Sequence, residues 1–121
     1  MRRIVKLILR MTRTLDLAIR SVEWWWRRRS SAALSALISA QRRSGEPLRI
    51  QIGSGSNRLP GWLNTDLTKR GEYFLNANDL GVIPDGSVDL IYAEQIVEHL
   101  ELHEAAGFLK QAFGKLKKQG I

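Results

Sequence analysis

Residues 48–66 read LRIQIGSGSNRLPGWLNTD, and this stretch decides the fold. Its first five residues alternate apolar and polar side chains, which is the pattern of a β-strand. A glycine-rich loop follows at residues 53–57, and residues 62–67 then have the composition of a second short strand. Because glycine carries no side chain, such a loop lets the backbone approach a ligand closely. The stretch therefore predicts a strand, a ligand-binding turn and a second strand.

The sequence beyond this stretch predicts two further strands, at residues 72–76 and 88–92, with a Pro-Asp-Gly-Ser turn before the second of them. A short helix is expected over residues 94–100, and a longer amphipathic helix over residues 102–116. The apolar side chains of the longer helix are Leu102, Ala105, Ala106, Leu109, Phe113 and Leu116. Strands that alternate with helices indicate an α/β fold with a parallel sheet.

Charge divides the chain into two parts. The 121 residues carry a formal net charge of +7. Residues 1–46 hold 11 basic and 3 acidic side chains, whereas residues 47–121 hold 8 basic and 9 acidic ones. Gly45 and Pro47 disfavour a helix that continues across this boundary. We therefore expect a basic helical arm at residues 1–46 and a separate domain at residues 47–121.

The arm carries an apolar stripe with the three- and four-residue spacing of an amphipathic helix. Its members are Ile4, Ile8, Met11, Leu15, Ile19 and Val22. A second helical stretch is predicted over residues 32–40. The stripe could cover the domain, pair with a second copy as a homo-oligomer, or anchor the chain on an anionic membrane surface. Nucleic-acid contact is disfavoured, because the adjacent Trp24, Trp25 and Trp26 point in three directions around a helix.

Composition excludes several classes of protein. The chain has no cysteine, so disulfide scaffolds, thiolate metal sites and thiol nucleophiles are excluded. With only His99 and His103 besides carboxylates, no metal site is expected. No apolar run approaches the roughly 18 residues that a transmembrane helix needs. We expect a cytoplasmic protein with peripheral membrane association, although the Arg-rich start also fits a mitochondrial transit peptide.

Asp66 indicates which class of ligand the glycine loop is expected to bind. In doubly wound folds, a carboxylate after the second strand accepts hydrogen bonds from ribose hydroxyls. Arg58 stands where a dinucleotide fingerprint has its third glycine, and no Gly-Lys-Ser/Thr phosphate loop follows. The pattern therefore favours a nucleoside ligand without phosphates.

Three runs, at residues 50–66, 84–100 and 108–120, together resemble the motifs of class I S-adenosylmethionine-dependent methyltransferases of the type 11 kind. The resemblance implies a partial Rossmann-like parallel sheet in the order 3-2-1-4 with flanking helices, and S-adenosylmethionine as cofactor. It also implies a methyl acceptor, which the sequence does not identify. The sequence departs from the usual motif residues at Gln51, Asn57, Asn76 and Gln95.

The resemblance also implies roles by position. The glycine loop would pass under the methionine and ribose of the cofactor, Asp66 would bind the ribose hydroxyls, and the segment after the third strand would contact adenine. The residues after the fourth strand would face the reacting methyl group. The cofactor-binding candidates are Gly53, Ser54, Gly55, Asp66, Asn76, Ala77, Asp79 and Glu94, with Ala93 and Gln95 beside Glu94. No catalytic residue is assigned.

Members of this family continue into a fifth strand after the turn that corresponds to residues 117–120. We therefore expect the sequence to be a fragment or an interrupted reading frame, unless the arm or a second copy covers an otherwise open fourth strand. The alternative to an enzyme is a non-enzymatic Rossmann-like module that binds a membrane surface or a protein partner.

Overall fold

The computed structural model describes residues 1–94 and 96–121. Helices and strands follow in the order α1 (Arg2–Ser44), β1 (Arg49–Ile52), β2 (Leu63–Asp66), β3 (Tyr73–Phe74), β4 (Leu90–Ala93), a 3₁₀ helix (Val97–His99) and α2 (Leu102–Lys115). The strand at β3 is shorter than predicted, β4 begins two residues later than predicted, and a 3₁₀ turn replaces the short helix expected over residues 94–100.

The four strands form one parallel sheet in the order β3-β2-β1-β4. Ile50 of β1 lies between Leu63 of β2 and Ile91 of β4, which fixes the register of the central strands. The predicted fold class is confirmed: the chain is α/β, with a Rossmann-like parallel sheet, flanking helices and an N-terminal helical arm. The helices stand before β1 and after β4, and turns and loops connect the strands between them.

The N-terminal arm is one helix rather than the two predicted stretches. No glycine or proline occurs before Gly45, so nothing in the sequence breaks the helix until that residue. Gly45 ends the helix in the left-handed conformation, with φ of 75°. Residues 1–25 are all exposed, whereas Ser30, Leu34 and Ile38 are buried.

The C-terminal part of α1 docks on β3. The Oγ atom of Ser30 accepts a hydrogen bond from the backbone N–H of Phe74. The indole of Trp26 packs edge-to-face on the Phe74 ring with centroids 5.9 Å apart, and the Arg27 guanidinium lies 5.2 Å from the same ring. Through these contacts, this part of α1 packs on the sheet and contributes to the hydrophobic core.

The hydrophobic core gathers side chains from α1, the strands, the β3–β4 connection and α2. Its buried members are Leu34, Ile38, Leu48, Ile50, Ile52, Leu75, Leu80, Ile83, Val88, Phe108 and Ala112. The apolar face predicted for α2 is partly wrong. Ala105, Phe108 and Ala112 face the core, whereas Leu102, Leu109 and Phe113 lie on the exposed side of the helix.

The outer edge of β4 is partly covered by the chain itself. Leu116 bridges Val88 in parallel, the backbone N–H of Ile121 donates to Asp89 (2.9 Å), and Ile91 donates to the Ile121 carbonyl (2.7 Å). The start of this edge is therefore paired, in contrast to the open edge expected from the sequence.

Candidate functional site

A cleft of about 440 Å³ lies at the carboxyl ends of the strands. Each of the four strands contributes to it through the residues that follow its end, such as Gly53 after β1, Asp66 at the end of β2, Asn76 after β3 and Glu94 after β4. Parallel strands place their carboxyl ends at one edge of a sheet, so segments that are distant in sequence meet there.

The glycine loop after β1 forms one wall of the cleft. Gly53 and Gly55 adopt φ values of +73° and +51°, a region that other residues rarely adopt. A Cβ atom on Gly53 would lie 2.6 Å from the Ile96 side chain, whereas one on Gly55 would meet nothing within 4 Å. A side chain at residue 53 would therefore displace the end of the Ile96 side chain, whereas residue 55 leaves open space beside the cleft.

Asp66 stands at the end of β2 with its carboxylate already oriented. Its Oδ1 atom accepts a hydrogen bond from the backbone N–H of Gly55 (3.3 Å), and Oδ2 accepts from the backbone N–H of Thr68 (3.0 Å) and from the Thr68 hydroxyl. Gly71 packs beneath it, where a Cβ atom would lie 2.7 Å from the Cβ of Asp66. Its Oδ1 atom accepts only one hydrogen bond from the protein and keeps capacity to accept another from a ligand.

The segment after β3 supplies Asn76 and Ala77 to the cleft, as the sequence predicts. The Oδ1 atom of Asn76 accepts from the backbone N–H of Asn78 (3.0 Å), so the amide is held by its own turn. Asp79 does not line the cleft. Its Oδ1 atom accepts from the backbone N–H of Gly81 (3.0 Å), and its side chain borders a separate shallow depression next to Phe74.

Ser54 also lies outside the cleft lining. Its side chain is buried, and its hydroxyl donates to the Gly55 carbonyl (3.0 Å). Its backbone N–H donates to the Thr65 carbonyl (2.9 Å), which ties the glycine loop to β2. The structure therefore brings together six of the eight candidates: Gly53, Gly55, Asp66, Asn76, Ala77 and Glu94.

Glu94 provides a second carboxylate at the end of β4. The Tyr92 hydroxyl donates a hydrogen bond to its Oε2 atom (2.8 Å). This hydrogen bond raises the pKa of Tyr92 above its usual value, because the carboxylate stabilises the protonated phenol. Ala93 does not line the cleft, and the prediction for Gln95 lies outside the described residues.

Sequence reasoning missed several residues of the cleft. Thr68 and Arg70 follow Asp66 in the β2–β3 loop, and their proximity to that carboxylate in sequence was the available signal. His99 lines the cleft from the 3₁₀ helix. Ile96 and Leu100 add apolar surface to the same wall.

The cleft has little to attract a phosphate group. Residues 53–62 form turns, bends and irregular segments, so no helix N-terminus follows the glycine loop to bind an anion. The lining residues include the cationic Arg70 and two carboxylates, Asp66 and Glu94. This charge balance favours a neutral or cationic ligand over a pyrophosphate.

A scan against protein-family models finds no matching family, and comparisons with curated proteins and with solved structures find no significant match. The function of this chain must therefore be inferred from the residues and geometry of the cleft.

Proposed function

We propose that this chain binds S-adenosylmethionine in the cleft and forms the cofactor-binding part of a methyltransferase. The observation that carries the proposal is the Asp66 carboxylate, held by Gly55 and Thr68 at the carboxyl edge of the sheet. In doubly wound sheets, a carboxylate in this place accepts hydrogen bonds from ribose hydroxyls.

The sheet topology supports a ligand at this edge. The chain runs from β1 outward through β2 to β3 and then returns to place β4 on the other side of β1. Ligands of open α/β sheets bind at such a switch point, outside the carboxyl ends of the strands. Gly53 at the end of β1 and Glu94 at the end of β4 stand on the two sides of this switch point.

The lining residues fit the cofactor in size and charge. A cleft of about 440 Å³ is within the range of roughly 300–1,000 Å³ that small-molecule sites occupy. Asn76 and Ala77 would lie along the adenine, and Gly53 and Gly55 would let the backbone pass close to the ribose and methionine. The Glu94 carboxylate complements the positive charges of a sulfonium and an ammonium group.

The cofactor, when bound, supplies a methyl group that is already activated for in-line displacement. The protein then has to position the acceptor and exclude water. A general base is needed only where the acceptor must lose a proton before attack, and we assign no residue to that role. We also propose that the protein acts in the cytoplasm at a membrane surface.

The second candidate is the non-enzymatic module that binds a membrane surface or a protein partner. The observation that favours it is the exposed apolar surface of α1 and of α2, where Leu102 and Phe113 are 88% and 80% exposed. Such surface on a folded domain marks an interaction site. The two candidates differ in one measurable property, which is recognition of an adenosyl ligand.

A calorimetric panel tests the proposal. The 121-residue chain is titrated with S-adenosylhomocysteine, NAD⁺ and ATP under the same conditions. We expect saturable 1:1 binding of S-adenosylhomocysteine and at least about tenfold weaker binding of the two phosphate-bearing ligands, because the glycine loop leads into no helix. Tighter binding of NAD⁺ or ATP would contradict the proposal, and binding of none of the three by folded protein would favour the non-enzymatic module.

A further inference from the structure

The N-terminal part of α1 extends away from the domain. Residues 1–25 are exposed throughout, and helix packing against the sheet begins with Trp26 and Ser30. At 1.5 Å per residue, this free part of the helix is about 36 Å long. Among the described residues, no helix combines the length and apolarity needed to cross a bilayer.

The free part of α1 has two distinct faces. Its apolar stripe lies within an arc of about 120° when residues are placed every 100° around the axis. The members, each more than half exposed, are Ile4, Leu7, Ile8, Met11, Leu15, Ile19 and Val22. The basic side chains lie on the opposite arc of about 100°, which also contains the exposed Leu17, and the exposed Val5 and Leu9 lie between the two arcs. They are Arg2, Arg3, Lys6, Arg10, Arg13 and Arg20.

We infer that this surface binds the headgroup region of an anionic phospholipid bilayer, with the apolar stripe inserted and the helix lying in the plane of the membrane. Residues 2–29 contain nine basic and two acidic side chains, whereas residues 47–121 are nearly neutral, so the charge complementary to anionic lipid is concentrated on this helix. A broad apolar stripe opposite a basic face is the pattern of interfacial helices.

The exposed tryptophans that follow the stripe in sequence support the same occupant, with Trp25 at the edge of the apolar arc and Trp24 within the basic arc. Trp24 and Trp25 are 50% and 60% exposed, and the Arg28 guanidinium lies 4.8 Å from the centroid of the Trp24 ring. Indole rings with a neighbouring cation suit the boundary between headgroups and acyl chains. Because these tryptophans lie next to the docked part of α1, the part of the helix that inserts into the membrane would end where the domain begins.

A second copy of the chain fits the helix less well. Paired helices use a narrow apolar seam with charged flanking positions that select the partner and its orientation. A seam of Ile4, Ile8, Met11, Leu15 and Val22 would be flanked by uncharged side chains on both sides, and the flanking Leu7 and Ile19 make the apolar surface broader than such a seam. The other flanking residues are Val5 and Thr12 on one side and Thr14 and Ser21 on the other. The cations lie behind the seam, where a partner helix would not neutralise them.

The domain would lie on the side of the helix that faces away from the bilayer. Leu34 and Ile38 face the core, and their direction differs from the centre of the stripe by about 120–160° around the helix axis. Insertion of the stripe therefore requires no release of α1 from the sheet. The inference does not depend on the cofactor proposed for the cleft.

Vesicle co-sedimentation of the full 121-residue chain tests the inference. Vesicles of phosphatidylcholine mixed with phosphatidylglycerol are compared with vesicles of phosphatidylcholine alone. We expect binding to the anionic vesicles to be at least about tenfold stronger, together with a blue shift of tryptophan emission. Replacement of Lys6, Arg13 and Arg20 by Gln should weaken anionic binding about a hundredfold, at roughly fivefold for each charge.

Two further variants distinguish membrane insertion of the helix from an effect of net charge alone and from misfolding. Replacement of Arg58, Lys69 and Lys118 by Gln removes the same charge from exposed sites in the domain and should leave vesicle binding within about twofold. The Ile8→Asp/Leu15→Asp variant should lose at least about tenfold in binding. It should keep the thermal unfolding midpoint of the parent, because neither residue contacts the domain.

Three results would overturn the inference. The first is no binding to anionic vesicles by folded protein. The second is a stable dimer in light scattering that the Ile8→Asp/Leu15→Asp variant dissociates without any vesicle binding, which would assign the stripe to a second copy. The third is binding to an RNA oligonucleotide that exceeds vesicle binding and is unaffected by the two apolar substitutions.

Discussion

The Oδ1 atom of Asp66 accepts a hydrogen bond from the backbone N–H of Gly55 at 3.3 Å. This contact joins the end of β2 to the glycine loop after β1. The backbone N–H of Ser54 adds a second connection, to the Thr65 carbonyl at 2.9 Å. The carboxylate and the loop therefore form one connected wall of the cleft before any ligand enters, which reduces the ordering that binding requires.

Gly53 should tolerate substitution less well than Gly55. Gly53→Ala places a Cβ atom 2.6 Å from the Ile96 side chain at φ of +73°, so both a steric and a backbone cost arise. We expect a loss of about 2–4 kcal/mol in the free energy of unfolding, measured by urea denaturation. Gly55→Ala, at φ of +51° with open space around it, should lose only about 1–2 kcal/mol.

The double variant Gly53→Ala/Ile96→Ala isolates the steric part of this effect. Removal of the outer atoms of Ile96 should make the cost of Gly53→Ala smaller in the Ile96→Ala background than in the parent. Equal costs in both backgrounds would mean that the Gly53–Ile96 packing does not determine the loop.

Ser30 should contribute to stability although it lies in the arm. Ser30→Ala leaves the backbone N–H of Phe74 without its acceptor, and we expect a loss of about 1–2 kcal/mol in the free energy of unfolding. Ser35→Ala, on the exposed side of the same helix, is the matched control and should change stability by less than about 0.5 kcal/mol. Equal effects of the two substitutions would contradict the docking of α1 on β3.

Asp89 should make the domain less stable in acid. The backbone N–H of Leu48 donates to its Oδ2 atom (2.8 Å), and the Lys117 ammonium lies 3.1 Å from both oxygens. These contacts hold the pKa of Asp89 below its usual value, chiefly through the Leu48 hydrogen bond. The stabilisation is therefore present above the unfolded pKa near 3.8 and is lost as pH falls through the lower folded value.

Asp89→Asn tests this dependence. We expect it to lose about 1 kcal/mol in the free energy of unfolding at neutral pH, and to show a shallower fall of stability on acidification below about pH 5 than the parent. Asp85→Asn is the control, because its ion pair with Lys115 leaves the Asp85 side chain 83% exposed. A parent and an Asp89→Asn variant with parallel pH profiles would refute the assignment.

The central strands could be predicted because local sequence specifies them, whereas their order was implied by the family resemblance. The alternation around Ile50 and Ile52 and the loop that starts at Gly53 mark β1 without ambiguity. The face of α2 could not be predicted, since the helix carries two apolar rows. Tertiary packing selects the row of Phe108 and leaves the row of Phe113 exposed.

The cleft was predictable at its backbone positions and less so at its side chains. Position in a motif placed Asp66 and Asn76 near strand ends, and both residues line the cleft. The same reasoning could not show that the Asp79 side chain turns to its own loop, at the backbone N–H of Gly81. Sequence reasoning also could not predict that Arg70 and His99 line the same cleft, because 28 residues with no regular spacing separate them.

The most direct test of the cofactor site is a calorimetric titration of the parent, Asp66→Ala and Asp79→Ala proteins with S-adenosylhomocysteine. Asp66 lines the cleft and Asp79 does not, so the two substitutions remove the same group from inside and outside the proposed site. We predict at least about tenfold weaker binding for Asp66→Ala, roughly 1.4 kcal/mol, and a change within about twofold for Asp79→Ala. Unchanged binding by a folded Asp66→Ala protein, or no binding by the parent, would contradict the account.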